Sequence, residues 1–202
     1  MSETDFGDPA RSNQSVIAQA PSRPDTDSLY RMHMHRVARW VERLAGPSLD
    51  WEDIVHEVFV IAHQRIGGFR GDASITTWLF SITDKVVRRR RFKERWRRWL
   101  SGSADETAGH LPSAWPDPLR VAERRQAAAI VYGVLDCLPE RDRQILILCE
   151  IEGLTADEVG ELLGIKPANA RLRLHRAHRR FLRVYEDYER KEREGRRDHV
   201  GG

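Results

Sequence analysis

Between Phe69 and Trp99 the chain reads FRGDASITTWLFSITDKVVRRRRFKERWRRW, and no other stretch limits the possible folds so sharply. Ile75, Trp78, Leu79 and Ile82 recur at spacings of three, one and three, the stripe of a helix with one face in a core. From Asp84 to Arg98 nine Lys and Arg stand against two carboxylates, a net charge of +7 on a chain of net +3. The plain reading of such a charge run is a solvated helix face. Such a block attracts a polyanion and releases its counterions on binding. Phe92, Trp96 and Trp99 interleave with the arginines, a pattern suited to stacking on unpaired bases. Ahead of the stripe, Arg70-Gly71-Asp72-Ala73-Ser74 reads as a tight polar turn.

The remaining apolar residues also follow helical spacing. Leu29, Val37, Val41 and Leu44 predict a helix over 28–44, with Met34 and Trp40 on its sides and Gly46-Pro47 as its stop. Trp51, Ile54, Val55, Val58, Ile61 and Ala62 predict a second over 50–66, its early Asp50, Glu52 and Asp53 suiting the positive end of the dipole. Ala127, Ile130, Val131, Val134 and Leu135 predict a third ending near Cys137, and Leu138-Pro139 restarts the chain. Thr155 and Glu158 form a capping box, Gly164 a turn, and Pro167 a helix start. In that last helix Ala170, Leu174, Ala177 and Phe181 face inward, while seven basic and no acidic residues lie between Lys166 and Arg183. Two helices joined by a short turn, the second basic, follow the logic of a helix-turn-helix entering a major groove.

The fold class is therefore all-α: two small helical domains, 28–99 and 120–185, joined by a flexible linker. Residues 1–27 read as a disordered extension, 100–119 as the linker, and 186–202 as a charged tail extending the last helix. With 202 residues, 40% of them hydrophobic and 32% charged, the cores must be small. No apolar run approaches a membrane span and the N-terminus lacks a signal-peptide core, so a cytoplasmic protein without membrane insertion is expected. Cys137 and Cys149 read as structural and buried. His33 and His35, two apart, fall on different helix sides, and His56 and His63 share a face without a third ligand. No metal site, cofactor or catalytic constellation is expected.

FRGDASITTWLFSI resembles the promoter-melting segment of the extracytoplasmic-function (ECF) sigma factors, of form FxGDASFxTWLxxIA. LPERDRQILIL is similar to their LPxxxRxVLxL, and GLTADEVGELLGIKPANARLRLHRAHRRF to their GLSxxEIAxxLGxxxGTVKSRLxRARxxL. The resemblance implies sigma regions 2 and 4 and a bacterial initiation factor. Its partners would be core RNA polymerase, through the β′ and β subunits, promoter DNA, and an anti-sigma factor. The family's DLxQExF docking segment corresponds to 53–59, implicating Asp53, His56, Glu57 and Phe59 in polymerase binding, with His56 in place of Gln and His63 in place of a frequent Trp. Phe69, Arg70, Gly71, Asp72, Ala73, Ser74, Trp78, Lys85, Arg88 and Arg89 would meet the −10 element, Lys85 standing where the family has Asn. Lys166, Asn169, Arg171, Leu172, Arg173, Arg176 and Arg179 would meet the −35 duplex, Leu172 replacing a polar residue.

Two other readings compete. A helix-turn-helix regulator acting without core polymerase leaves the FRGDASITTWL loop unexplained. A metal-dependent nuclease built on His33, His35, His56 or His63 has no carboxylate cluster to support it.

Overall fold

The computed structural model describes residues 26–101 and 118–200, and every described element is helical. The N-terminal extension and most of the linker lie outside the described residues. The first domain is α1 (Thr26–Ala45), α2 (Trp51–Arg65) and α3 (Ile75–Ser101). Asp50 caps α2, its carboxylate accepting from the Glu52 and Asp53 amides at 3.0 and 3.4 Å. The three helices close over Leu29, Val37 and Val41 of α1, Ile54, Val58 and Ala62 of α2, and Leu79, Phe80 and Val86 of α3. Each fully buried Leu, Ile, Val or Phe contributes about 1.5–3 kcal/mol relative to exposure.

Two aromatic residues depart from the sequence expectation. Trp40, expected on a flank, is 3% exposed and meets Phe80 edge-on at 5.1 Å. Phe59, implicated by resemblance in polymerase binding, is 7% exposed and packs edge-on against Tyr30 at 4.8 Å. Phe59 therefore packs α2 against α1.

The second domain is α4 (Pro118–Asp136), α5 (Glu140–Leu146), a π-helical turn Ile147–Ile151, α6 (Ala156–Leu163) and α7 (Pro167–Val200). Ile145, Ile147, Leu148, Val159, Ala170 and Ala177 are fully buried in or beside its core. Two expectations are corrected here. Cys137 is exposed, because α4 ends at Asp136 and Val134, Leu135 and Leu138 take the interior positions around it. Val131, expected on the apolar face of α4, is 37% exposed. Cys149 is half-buried in the π turn, and burial pushes its thiol up to about 11. The tail continues α7 as a helix through Val200.

The two domains meet through a polar joint. Arg143, 1% exposed, donates from Nη1 to the Leu44 carbonyl at 2.7 Å and from Nε to Asp136 at 3.2 Å. Arg91, 5% exposed, reaches the Ala45 carbonyl at 3.3 Å and Asp136 at 2.9 Å. The Tyr132 hydroxyl donates to the Arg43 carbonyl at 3.1 Å. Gln144 donates to Asp84 at 2.6 Å, and Glu152 lies 3.5 Å from both Arg39 and Arg43. Burial and the neighbouring Arg91 guanidinium lower the pKa of Arg143 to about 10, leaving it charged at neutral pH.

Candidate nucleic-acid interface

The loop ahead of α3 is built by local geometry. Gly71 has φ +79°, a left-handed conformation that a side chain would strain, and open space lies above it. Ser74 starts the helix: its hydroxyl accepts from the Thr77 amide at 3.1 Å and its carbonyl from the Trp78 amide at 2.9 Å. Phe69 and Trp78, both half-buried, sit 5.4 Å apart and floor the loop. Arg70, Gly71, Asp72, Ala73 and Ser74 are exposed above them. The result is a short polar rim on an aromatic base, with backbone accessible at Gly71.

Along α3 the basic run divides in two. Lys85, Arg88 and Arg89 are exposed, Arg88 lying 3.5 Å from Asp84 and Arg89 paired with Glu57. Arg90 also holds Glu57, at 2.8 Å through Nε. Arg91 is consumed by the joint. Burial raises the pKa of Asp84 against the pull of Arg88. Glu57 is thus a clamp between α2 and α3, whereas Asp53 and His56 are exposed. Val60, 44% exposed, and His63 continue their face at helical spacing, and periodicity alone does not single out Val60.

The second surface rests on α6 and α7. The Thr155 hydroxyl accepts from the Glu158 amide at 3.3 Å, and Glu158 accepts from the Thr155 amide at 2.8 Å. The bonds that the Glu158 carboxyl accepts, from the Thr155 amide and from the Thr155 hydroxyl at 2.7 Å, hold it below its ordinary range. Gly164 closes α6 at φ +64°, and the Ile165 amide donates back to Gly160 at 2.9 Å. Gly160 is needed for space: a β carbon there would lie 3.0 Å from the Ile165 carbonyl oxygen and 3.5 Å from Pro167 Cα. Ala170 and Ala177, both fully buried, turn one side of α7 inward. Lys166, Asn169, Arg171, Leu172, Arg176 and Arg179 are exposed and Arg173 half-exposed. Arg171 pairs with Asp157 at 2.8 Å, both largely solvated. Arg173, Arg176 and Arg179 have no carboxylate partner among the described residues.

The start of α3 faces α6. An open cleft of about 330 Å³ is lined on one side by Ser74, Thr76 and Thr77 and on the other by Glu158, Glu161 and Leu162. Among the described residues no group of three or more His, Cys, Asp and Glu is placed to hold a metal ion, and no helix is long and apolar enough to cross a membrane.

Residues 29–97 match the family model of sigma-70 region 2, and residues 128–181 that of sigma-70, region 4. The ECF RNA polymerase sigma-E factor of Escherichia coli strain K12 is 30% identical over 153 residues, covering 72% of this chain and 78% of that protein. The chain belongs to the ECF sigma factors of the sigma-70 family. The sigma factor is also 32% identical over 167 residues to the ECF RNA polymerase sigma factor SigE of Mycolicibacterium smegmatis. That match covers 80% of the chain and spans 62% of the relative's own length. In fold, the sigma factor is similar to the RpoE sigma factor of Bartonella quintana, solved with the anti-sigma factor NepR. There the TM-score is 0.54 at 17% identity, over 79% of this chain and 96% of that one. It is also similar to CnrH, solved with the cytosolic domain of CnrY: TM-score 0.53 at 20% identity, over 80% and 88% of the two chains.

Proposed function

We propose that this sigma factor binds core RNA polymerase in the bacterial cytoplasm and directs initiation at promoters that it recognises through two DNA elements. The observation that carries the reading is the pair of separate basic surfaces, loop 69–74 with α3 and the outer side of α7, in one chain that matches both sigma regions. Opening a duplex requires holding a base out of the stack, which costs a few kcal/mol. The loop is suited to receive such a base. Polar groups at Arg70 and Asp72 stand above the Phe69–Trp78 floor, and Gly71 lets backbone approach closely. Lys85, Arg88 and Arg89 of the following helix then hold the −10 strand.

On α7, Lys166, Asn169, Arg171, Leu172, Arg173, Arg176 and Arg179 meet the −35 duplex, arginines reading guanine or holding phosphates. The exposed Asp53, His56 and Val60 face of α2 docks on the β′ subunit, with Glu57 and Phe59 fixing its position, and the second domain contacts β. Two modest contacts on one chain raise avidity through effective concentration. An anti-sigma factor that covers the polymerase-docking surfaces is the partner that would hold the protein inactive.

The test is transcription by core polymerase with this protein added, with transcript starts mapped across bacterial genomic DNA. Discrete new starts sharing upstream −10 and −35 elements are expected, and they vanish when Arg171, Arg173 and Arg176 become Ala. Starts unchanged by adding the protein, with no co-elution with core polymerase, would overturn the reading.

A further inference from the structure

The bonds across the joint between the domains are polar. Arg143 donates to the Leu44 carbonyl, the Tyr132 hydroxyl to the Arg43 carbonyl, and Arg91 to Asp136. Gln144 of α5 donates to Asp84, one residue before Lys85 on α3. Glu152, its side chain 4% exposed, lies 3.5 Å from both Arg39 and Arg43 of α1. Across the cleft of about 330 Å³ from Ser74, Thr76 and Thr77 stand Glu158 and Glu161 of α6. Their negative charges face the N-terminal, positive end of α3.

We infer that this closed arrangement is a resting state, and that the joint is a latch which opens before the two DNA elements are held at once. The inference rests on the two-element reading and adds to it a regulation built into the chain. Elements near −35 and −10 lie about 25 base pairs apart, about 85 Å of duplex. The closed chain spans far less. Ser74 and Leu162 line one cleft. Lys166 follows Leu162 by four residues, at most about 14 Å, and Arg173 lies about 10 Å farther along α7. A duplex of that length does not fold back to meet both surfaces, because its persistence length is about 150 base pairs. In the closed state the α6 carboxylates also repel phosphate from the start of α3. Polar joints between domains are the kind that part, because each side exchanges its partners for water. A polymerase that takes the two domains at separate docking sites binds the open form alone and so supplies the cost of opening.

The test locks the latch. Arg36 of α1 and Glu161 of α6 are both exposed and line the cleft from opposite domains. In the full chain with Cys137→Ser, Arg36→Cys and Glu161→Cys are joined by a short bis-maleimide that carries a reducible disulfide. Burial keeps the Cys149 thiol protonated and slow to react. Transcription by core polymerase is measured before linking, after linking and after reduction. Linking is expected to lower initiation about tenfold or more, and reduction to restore it to within about twofold. The same reagent on either single cysteine variant should change initiation by less than about twofold. Arg39→Cys with Glu161→Cys gives a second lock if melting curves show the first pair unfolded. A linked chain that initiates as well as the unlinked one overturns the latch and leaves the promoter reading standing. So does a loss that reduction fails to reverse or that a single adduct reproduces. No initiation by the wild-type chain, with core polymerase active on a control template, removes the promoter reading and the latch with it.

Discussion

The basic run of α3 and the basic side of α7 look alike as strings of arginine, yet the fold treats them differently. Of the four consecutive arginines on α3, Arg88 lies beside Asp84, Arg89 and Arg90 hold Glu57, and Arg91 is buried against Asp136 and the Ala45 carbonyl. On α7, Arg173, Arg176 and Arg179 have no carboxylate partner among the described residues, whereas Arg171 meets Asp157 in a solvated pair and Arg180 holds Asp142. Charge count therefore overstates what α3 offers DNA, and overstates α7 less, by Arg180 above all. A guanidinium that is itself buried, as Arg91 is, is part of the architecture; one that is largely exposed remains available to a phosphate.

Substitutions can break this comparison, the largest effect first. Arg143→Ala removes the donor to the Leu44 carbonyl and one of the two guanidiniums on Asp136, so urea unfolding should register a loss of about 3 kcal/mol. If stability is unchanged, the joint is not structural. Arg176→Ala should leave that unfolding curve within about 0.5 kcal/mol but weaken binding of a −35 duplex by about 1–3 kcal/mol, or lower the salt slope by about one if its contact is a phosphate. A loss of stability without a loss of binding would place α7 with α3. Thr155→Ala removes the cap that sets α6 beneath α7 and should cost about 1 kcal/mol of stability. Arg89→Ala, its side chain 65% exposed, should cost well under 1 kcal/mol because solvent already screens its pair with Glu57.

The smallest effect is a pH dependence. Glu158's carboxyl is depressed below its ordinary value of 4.5 by the Thr155 amide and hydroxyl. Its contribution is therefore fully present above 4.5 and fades as pH falls through the lower folded value. Glu158→Gln keeps a capping side chain without the charge. The melting difference between the two proteins should accordingly narrow on acidification below 4.5, and a constant difference would count against the carboxylate's role.

Features set by neighbours in the chain were legible in the sequence. The Thr155–Glu158 box, the Gly164 turn and the Pro167 helix start all appear where spacing places them, because each involves residues within a few positions. The inward Ala170, Leu174, Ala177 and Phe181 follow from 3.6-residue periodicity for the same reason. What escaped was partnership at a distance. Nothing local says that Glu57 meets Arg90, 33 positions on, or that Arg143 reaches the Leu44 carbonyl, 99 positions back. Spacing puts Trp40 on a flank because its large polar-tipped ring fits either place, and only Phe80 across the bundle decides. Cys137 reads as buried because Leu135 and Leu138 flank it closely, yet the end of α4 turns it outward. The π turn at 147–151 has no signature in residue type at all.

The last turn of α1 leaves backbone carbonyls that no intrahelical amide can satisfy. Here they are answered from elsewhere: Arg43 by Tyr132, Leu44 by Arg143 and Ala45 by Arg91. Two of those three donors belong to the second domain, and the Tyr132 ring comes so close to Gly46 that a β carbon there would meet it at 2.9 Å. Whether α1 is finished thus depends on residues nearly a hundred positions away. Amide hydrogen exchange at Leu44 and Ala45 becomes a gauge of the whole molecule, slow while the halves are together and quickening when a denaturant draws them apart.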